Sequence, residues 1–182
     1  MPAKIFALFI FIAIFLLQAG FISALPVPFF YFNLPLVTLV PLMAAFSFSA
    51  ALTAAMVFGV LADIHSLYFF GVNLISLLGT LFIARAALIK FFTNRSLYSY
   101  IFLTAIATVC FELIKNILLA VADIFSPAAA YLFTLTGEFF LTLGYKTAVN
   151  VIAIIFIFYG LNFFSRRLKS FFITKINNEK NT

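Results

Sequence analysis

Long apolar runs, separated by short breaks rich in proline or polar residues, fill most of this chain. The runs cover residues 4–24, 30–48, 50–66, 70–90, 97–121 and 143–164. A helix of about 20 apolar residues crosses the hydrocarbon core of a bilayer, so each run predicts a membrane-spanning helix. The pattern therefore predicts an all-α, polytopic membrane protein with six transmembrane helices in one domain.

Prolines mark the first two runs. The first run ends at Pro26 and Pro28, and proline stops a helix because it lacks an N–H donor. The second run contains Pro35 and Pro41, which predicts a kinked membrane helix. The first run is longer than the apolar core of a signal peptide, about 7–15 residues, and more membrane sequence follows it. We therefore interpret it as a retained helix.

The stretch over residues 126–143 is apolar but contains Pro127, Gly137 and Glu138. Joined to the last run, it would give a helix far longer than a hydrocarbon core of about 30 Å requires. We therefore expect a break between Gly137 and Gly144. The prediction is an extra short lateral or re-entrant helix, followed by the sixth span.

Composition excludes the soluble classes of protein. The 182 residues are 66% hydrophobic and 9% charged, with a mean hydropathy of +1.24, whereas soluble domains are about 25% charged. Six or seven spans would use this length, so we expect no soluble catalytic domain within it. The single Cys110 excludes an intrachain disulfide.

Basic residues fall on one side of the predicted six-span topology. Nine of the 11 lysines and arginines lie on that side: Lys4, Arg85, Lys90, Arg95, Arg166, Arg167, Lys169, Lys175 and Lys180. The loops near Pro26, His65 and Asp123 lie on the opposite side and contain none. The positive-inside rule therefore predicts that both termini are cytoplasmic. We expect the basic tail, residues 165–182, to contact membrane lipids with anionic headgroups rather than nucleic acid.

One carboxylate interrupts the third run. Gly59, Asp63, Ser66 and Gly71 form the pattern Gly-x3-Asp-x2-Ser-x4-Gly, which closes the third predicted helix and opens the fourth. A carboxylate costs about 2.5 kcal/mol or more at the bilayer centre and less near the interface, so its presence requires a reason. We expect Asp63 to cap or pair within the outer turn, and His65 to be solvated or capping there.

Other polar residues gather between the predicted mid-membrane and the outer face. They are Asn73, Glu112, Lys115, Asn116, Glu138, Lys146 and Asn150. Glu112 and Lys115 are three residues apart, and Lys146 and Asn150 are four apart, so each pair shares a helix face. Three interpretations follow: a structural polar network, a ligand pocket, or a surface that binds a partner helix. A structural network is the simplest, because opposite charges neutralise one another inside a bundle.

Sequence signatures of catalysis are missing. The chain has no Gly-x-Ser-x-Gly, His-Glu-x-x-His or phosphate-loop motif. Asp63 and Asp123 suggest an aspartyl membrane peptidase only faintly, through the similarity of Val121-Ala-Asp123 to one motif of lipoprotein signal peptidase. A catalytic dyad needs its carboxyl groups a few ångströms apart, and nothing in the sequence places them so. We expect no catalytic residue, no cofactor and no metal.

The Gly59, Asp63, Ser66, Gly71 pattern resembles that of the bacterial rod shape-determining protein MreD family. The length, the six predicted spans, the basic loop after the fourth and the basic C-terminal tail are also similar to that family. The resemblance implies a non-enzymatic, multi-pass subunit of the bacterial cytoplasmic (inner) membrane. It would bind an MreC-like protein, a penicillin-binding transpeptidase and a SEDS glycosyltransferase in the peptidoglycan elongation machinery that sets cell shape.

A second function follows from the same resemblance. The MreD family is similar in fold to the substrate-binding S components of energy-coupling-factor vitamin transporters. Such a subunit would hold a small ligand in the outer half of the bundle, where the polar residues gather. The alternative function is therefore ligand capture for a transporter.

The one-sided basic residues generate a topology prediction. Single cysteines introduced near His65 and Asp123 should react with a membrane-impermeant thiol reagent added from outside. Cysteines near Asn94 and Asn177 should react only after the membrane is opened, because the positive-inside rule places them in the cytoplasm. Labelling of the Asn94 position from outside would contradict the six-span topology.

Overall fold

The computed structural model describes residues 2–27, 29–66, 69–91, 96–125 and 137–179, with side chains described within 5–124 and 137–160 except at residue 45. These residues form six α-helices and no strand. The helices are α1 (Pro2–Gly20), α2 (Leu34–Pro41), α3 (Phe48–His65), α4 (Val72–Phe91), α5 (Leu97–Phe125) and α6 (Gly137–Glu179). Within the described ranges, the all-α prediction is confirmed.

Five of the described helices are long and apolar enough to cross a membrane. Their apolar segments are Ile5–Ala24, Phe48–His65, Val72–Phe91, Leu97–Ile124 and Gly137–Gly160. The segment over the second predicted span is shorter, Leu34–Ala44. Large apolar side chains face outward, for example Phe6, which is 68% exposed, and Phe156, which is 74% exposed. A surface of this kind suits lipid rather than water, as expected for a multi-pass membrane protein.

Helix α2 begins later than residue 30, where the sequence predicted it to start. The Asn33 side chain caps it by accepting a hydrogen bond from the Leu36 N–H at 3.1 Å. Pro35 therefore occupies the first turn, where a missing N–H costs nothing, rather than a kink. Pro41 does lie inside the helix and is followed by a π-helical turn, Leu42–Phe46. A short 3-10 turn, Phe29–Tyr31, precedes the cap.

Two ends of the bundle can be distinguished by their contacts. We call the first the motif end, because the Asp63–Gly71 part of the sequence pattern lies there. At this end, Asn33 at the start of α2 contacts Asn150 of α6, and Phe15 of α1 contacts His65 of α3. At the other, the basic end, the guanidinium of Arg85 in α4 lies 3.9 Å from the ring centroid of Phe48 at the start of α3. Successive helices therefore run alternately between the two ends, and α2 does so although it is short.

The centre of the bundle is built from small residues of α3 and apolar residues of α2. Ala51, Ala54 and Ala55 are fully buried, which lets α3 approach its neighbours closely. The α2 side chains Leu36, Val37, Leu39 and Val40 are at most 4% exposed. Helix α4 packs between α3 and α5, and α6 packs on α5. Every helix thus contributes to one core.

Helix α6 differs from the prediction for the C-terminal third. It starts at Gly137 and continues through Gly144, where we expected a break, and past residue 164 to Glu179. The expected break is therefore wrong: glycine inside a helix costs only about 1 kcal/mol relative to alanine, and a long apolar helix can fit a bilayer by tilting rather than by breaking. Residues 126–136 of the expected lateral or re-entrant helix lie outside the described residues.

Close contact between α3 and α4 generates a packing prediction. A Cβ on Gly59 would lie 2.6 Å from the Leu74 Cα, a backbone atom that cannot move independently, whereas a Cβ on Gly144 would meet nothing within 4 Å. Gly59→Ala should therefore destabilise the bundle by about 1–3 kcal/mol through overpacking. Gly144→Ala should leave stability unchanged or raised, because alanine favours helix.

Thermal unfolding of both variants in the same detergent measures this difference. Equal melting temperatures for Gly59→Ala and Gly144→Ala would contradict the close α3–α4 contact.

Candidate functional site

The carboxylate of Asp63 joins the end of α3 to the start of α4. Its Oδ2 accepts hydrogen bonds from the N–H groups of Gly71 at 3.0 Å and Leu74 at 3.1 Å. Its Oδ1 accepts one from the N–H of Asn73 at 2.8 Å. The first N–H groups of a helix have no partner within the helix, and the helix dipole favours negative charge there. Asp63 therefore caps α4 from the preceding helix while remaining only 4% exposed.

The other motif residues serve the same turn. Gly71 has φ +102°, a left-handed conformation that side chains disfavour. The Ser66 hydroxyl donates to the Asp63 carbonyl at 3.3 Å and accepts from the Asn73 side-chain amide at 3.2 Å. Gly59 provides the close approach of α3 to α4. We call these five residues, Gly59, Asp63, Ser66, Gly71 and Asn73, the Asp63 turn.

Side-chain amides tie the remaining helices together at the motif end. The Asn150 Oδ1 accepts from the Asn33 N–H at 2.9 Å, and its Nδ2 donates to the Thr108 hydroxyl at 3.1 Å. Asn150 thereby links α6 to α2 and α5 while 1% exposed. Gln18 links α1 to α2, because its Nε2 donates to the Phe32 carbonyl at 3.0 Å and its Oε1 accepts from the Leu34 N–H at 2.8 Å.

Gln18 was missing from the residues that the sequence singled out. It is the one long polar side chain in the otherwise apolar segment from Ile5 to Gly20. A polar side chain surrounded by apolar residues in a membrane helix is expected to hydrogen-bond to another helix. That isolation is the signal that would have identified it.

An ion pair connects α5 to α6. The Lys146 Nζ lies 2.8 Å from the Glu112 Oε2, with side-chain exposures of 27% and 12%. The sequence suggested an interaction between Glu112 and Lys115 within α5, and the charges of these two side chains do act on each other. The sequence did not suggest the contact of Glu112 with Lys146 on the neighbouring helix. Spacing along one helix could not reveal it, because the partner is 34 positions away. Lys115, Glu112 and Lys146 all line one cavity between the helices.

A cavity of about 380 Å³ opens at the motif end, and all six helices contribute to its wall. Of the predicted polar residues, the structure brings Ser66, Asn73, Glu112, Lys115, Lys146 and Asn150 to this wall. Asn116 lies elsewhere and donates to the Glu112 carbonyl at 2.9 Å, and Glu138 is exposed in the first turn of α6. The aromatic part of the wall comes from Phe15, Phe30, Tyr31, Phe32, Phe58 and Phe111.

This cavity has the size and mixed lining of a small-molecule site. Ligand pockets of about 300–1,000 Å³ are mostly apolar with a few placed polar groups. In the part of the chain that the structure describes, no group of three or more His, Cys, Asp or Glu side chains is arranged to hold a metal ion. Both oxygens of Asp63 are engaged by backbone N–H groups, so that carboxylate has a structural role.

Comparison of the chain with protein-family models, with curated proteins and with solved structures gives no match. The functional evidence therefore comes from the Asp63 turn and the cavity.

The interhelical ion pair generates a coupling prediction. Lys146→Met should lower thermal stability in detergent, because it removes the ammonium group that pairs with the partly buried Glu112 carboxylate at 2.8 Å. Glu112→Gln combined with Lys146→Met should recover part of that loss, with a coupling energy of about 0.5–3 kcal/mol in a double-mutant cycle. Lys90→Met is a suitable control because Lys90 is exposed at the basic end, so its effect should add to that of Glu112→Gln. Additive losses for Glu112 and Lys146 would contradict the pair.

Proposed function

We propose that this chain is a non-enzymatic, MreD-like subunit of the bacterial cytoplasmic membrane. In this proposal, its function is to bind other membrane proteins of the cell-wall elongation machinery. The partners expected from the resemblance are an MreC-like protein, a penicillin-binding transpeptidase and a SEDS glycosyltransferase.

The Asp63 turn is the observation that carries this proposal. Four spaced residues suggested the resemblance, and each has a separate physical task in one turn. Gly59 permits helix contact, Asp63 accepts three N–H groups, Ser66 bridges, and Gly71 adopts a positive φ. Chance placement of two glycines, a serine and an aspartate would not be expected to build a single unit. The geometry therefore supports reading the pattern as a structural signature.

The bundle also suits a subunit that acts through contact. Small residues hold its helices together at the centre and amides do so at the motif end, while its outer faces are rich in phenylalanine and isoleucine. Partners would reach such a surface from within the lipid, where van der Waals packing drives helix association. The alternating helix directions support six spans with both termini cytoplasmic, in which the motif end faces outward and the basic end faces the cytoplasm.

A second candidate function is the substrate-binding subunit of an energy-coupling-factor type transporter. The observation that favours it is the cavity of about 380 Å³, which lies at the end of the bundle that the proposed topology turns outward. A transporter subunit of this kind would associate with a pair of ATPases and a transmembrane coupling protein.

Affinity purification from the native membrane tests the proposed function. The tagged chain should recover an MreC-like protein and wall synthases, identified by mass spectrometry. Gly144→Leu should recover the same partners, because Gly144 is exposed and a Cβ there would meet no atom within 4 Å. Gly59→Leu should lose them, since it separates α3 from α4 and distorts the Asp63 turn.

Two other outcomes are informative. Recovery of an ATPase pair with a coupling protein would favour the second candidate over the first. Recovery of neither set, with the tagged chain intact and folded, would contradict both.

A further inference from the structure

Two lysines depart from the one-sided placement of the other nine basic residues. Lys115 and Lys146 lie in the middle of the chain's last two apolar helices, toward the motif end, and both line the cavity. Charged side chains within membrane helices are costly, and they commonly mark a binding site or a transport path. Topology does not require these two cations, so the cavity offers the reason for their position.

The cavity wall carries more cationic than anionic groups. Lys115 and Lys146 line it together with one carboxylate, Glu112. Asp63 is absent from the wall and both of its oxygens accept backbone N–H groups, but its negative charge, like that of Glu112, acts on Lys115. An anionic group entering the cavity would be attracted by the ammonium groups of Lys115 and Lys146, whereas a cationic one would be repelled by both.

Two amide side chains of the wall, Gln18 and Asn150, already form hydrogen bonds that join the helices. Asn150 uses both its oxygen and its nitrogen in contacts with Asn33 and Thr108, and Gln18 does the same with Phe32 and Leu34. These amides shape the cavity and position its helices. The lysines and the aromatic side chains of the wall are therefore the groups that we consider for ligand recognition.

We propose that the cavity binds a small organic carboxylate with a flat apolar body. Its carboxylate would bind at Lys115 and Lys146 through charge-assisted hydrogen bonds, and its apolar body would lie against aromatic side chains such as Phe15, Phe58 and Phe111. This inference rests on the cavity being a ligand site, as in the second candidate function. It does not depend on which proteins the chain binds.

Binding of three matched probes to the purified full chain tests the inference. 2-Naphthoate, neutral 2-naphthamide and cationic 2-naphthylmethylammonium share one flat body and differ in charge. In nanodiscs of phosphatidylcholine, fluorescence titration should show that naphthoate binds at least about tenfold more tightly than the other two, because hydrogen bonds to charged groups are the strong ones. Lys115→Met and Lys146→Met should each weaken naphthoate binding about tenfold or more. Lys90→Met should leave it within about twofold.

Glu112→Gln separates recognition from folding. It removes the ion-pair partner of Lys146, so a purely structural pair predicts weaker binding, as in Lys146→Met. Our inference predicts the opposite, naphthoate binding that is unchanged or tighter, because a competing anion has been removed.

Several results would overturn the inference. These are equal binding of naphthoate and naphthamide, a loss of binding in Glu112→Gln that matches Lys146→Met, or no naphthoate binding by the folded wild type. Displacement of naphthoate when phosphatidylglycerol is added to the nanodiscs would assign the anion site to a lipid headgroup and overturn the organic-acid assignment. Affinity purification of protein partners is a separate measurement, so a negative result for naphthoate binding would not contradict the MreD-like proposal.

Discussion

Three backbone N–H groups converge on one carboxylate, and the motif end of the bundle depends on that convergence. Asp63 sits at the end of α3, and the groups it accepts belong to Gly71, Asn73 and Leu74 at the start of α4. In lipid, an unsatisfied backbone polar group costs several kcal/mol because no water is present to bond it. The contact therefore satisfies the start of α4 and the buried charge at once. It also fixes the angle at which α3 and α4 leave the turn, which brings Gly59 against Leu74.

The same constraint explains why polar side chains, rather than apolar ones, join the helices at this end. Lipid tails are as apolar as the helix surfaces, so burial of apolar area does little to hold membrane helices together. Gln18 and Asn150 instead satisfy backbone groups where α2 begins, and Ser47 caps α3 directly after the π-helical turn. These hydrogen bonds anchor the start of the short helix α2 at one end of the bundle, and the Ser47 cap begins α3 at the other end. The cavity lies beside these interhelical hydrogen bonds, and Gln18 and Asn150 form part of its wall.

Prediction from sequence succeeded wherever a local rule governs the outcome. The length of the apolar runs located the long helices, and the pattern around Asp63 located the turn. The turn was predictable because the capping carboxylate, the glycine with positive φ and the capped N–H groups lie close together in the sequence. Prediction failed where the answer depends on distant residues. Lys146 is the partner of Glu112 across two helices, and Asn150 contacts Asn33 and Thr108, which are far from it in the chain. The start of α6 at Gly137 was misjudged because a glycine within an apolar run neither requires nor excludes a break.

The sequence by itself determined the class of this protein, since 66% hydrophobic composition and runs of membrane length leave few alternatives to a helical membrane bundle. It also determined which polar residues would need partners, because each one in a membrane helix is costly if left alone. Only the tertiary structure decided which partners they have. It divided the candidates into residues that build the Asp63 turn, residues that face the cavity, and two, Asn116 and Glu138, that do neither. The physical reason is that a helix fixes spacing along its own axis, whereas the face that meets a neighbour is set by packing between helices.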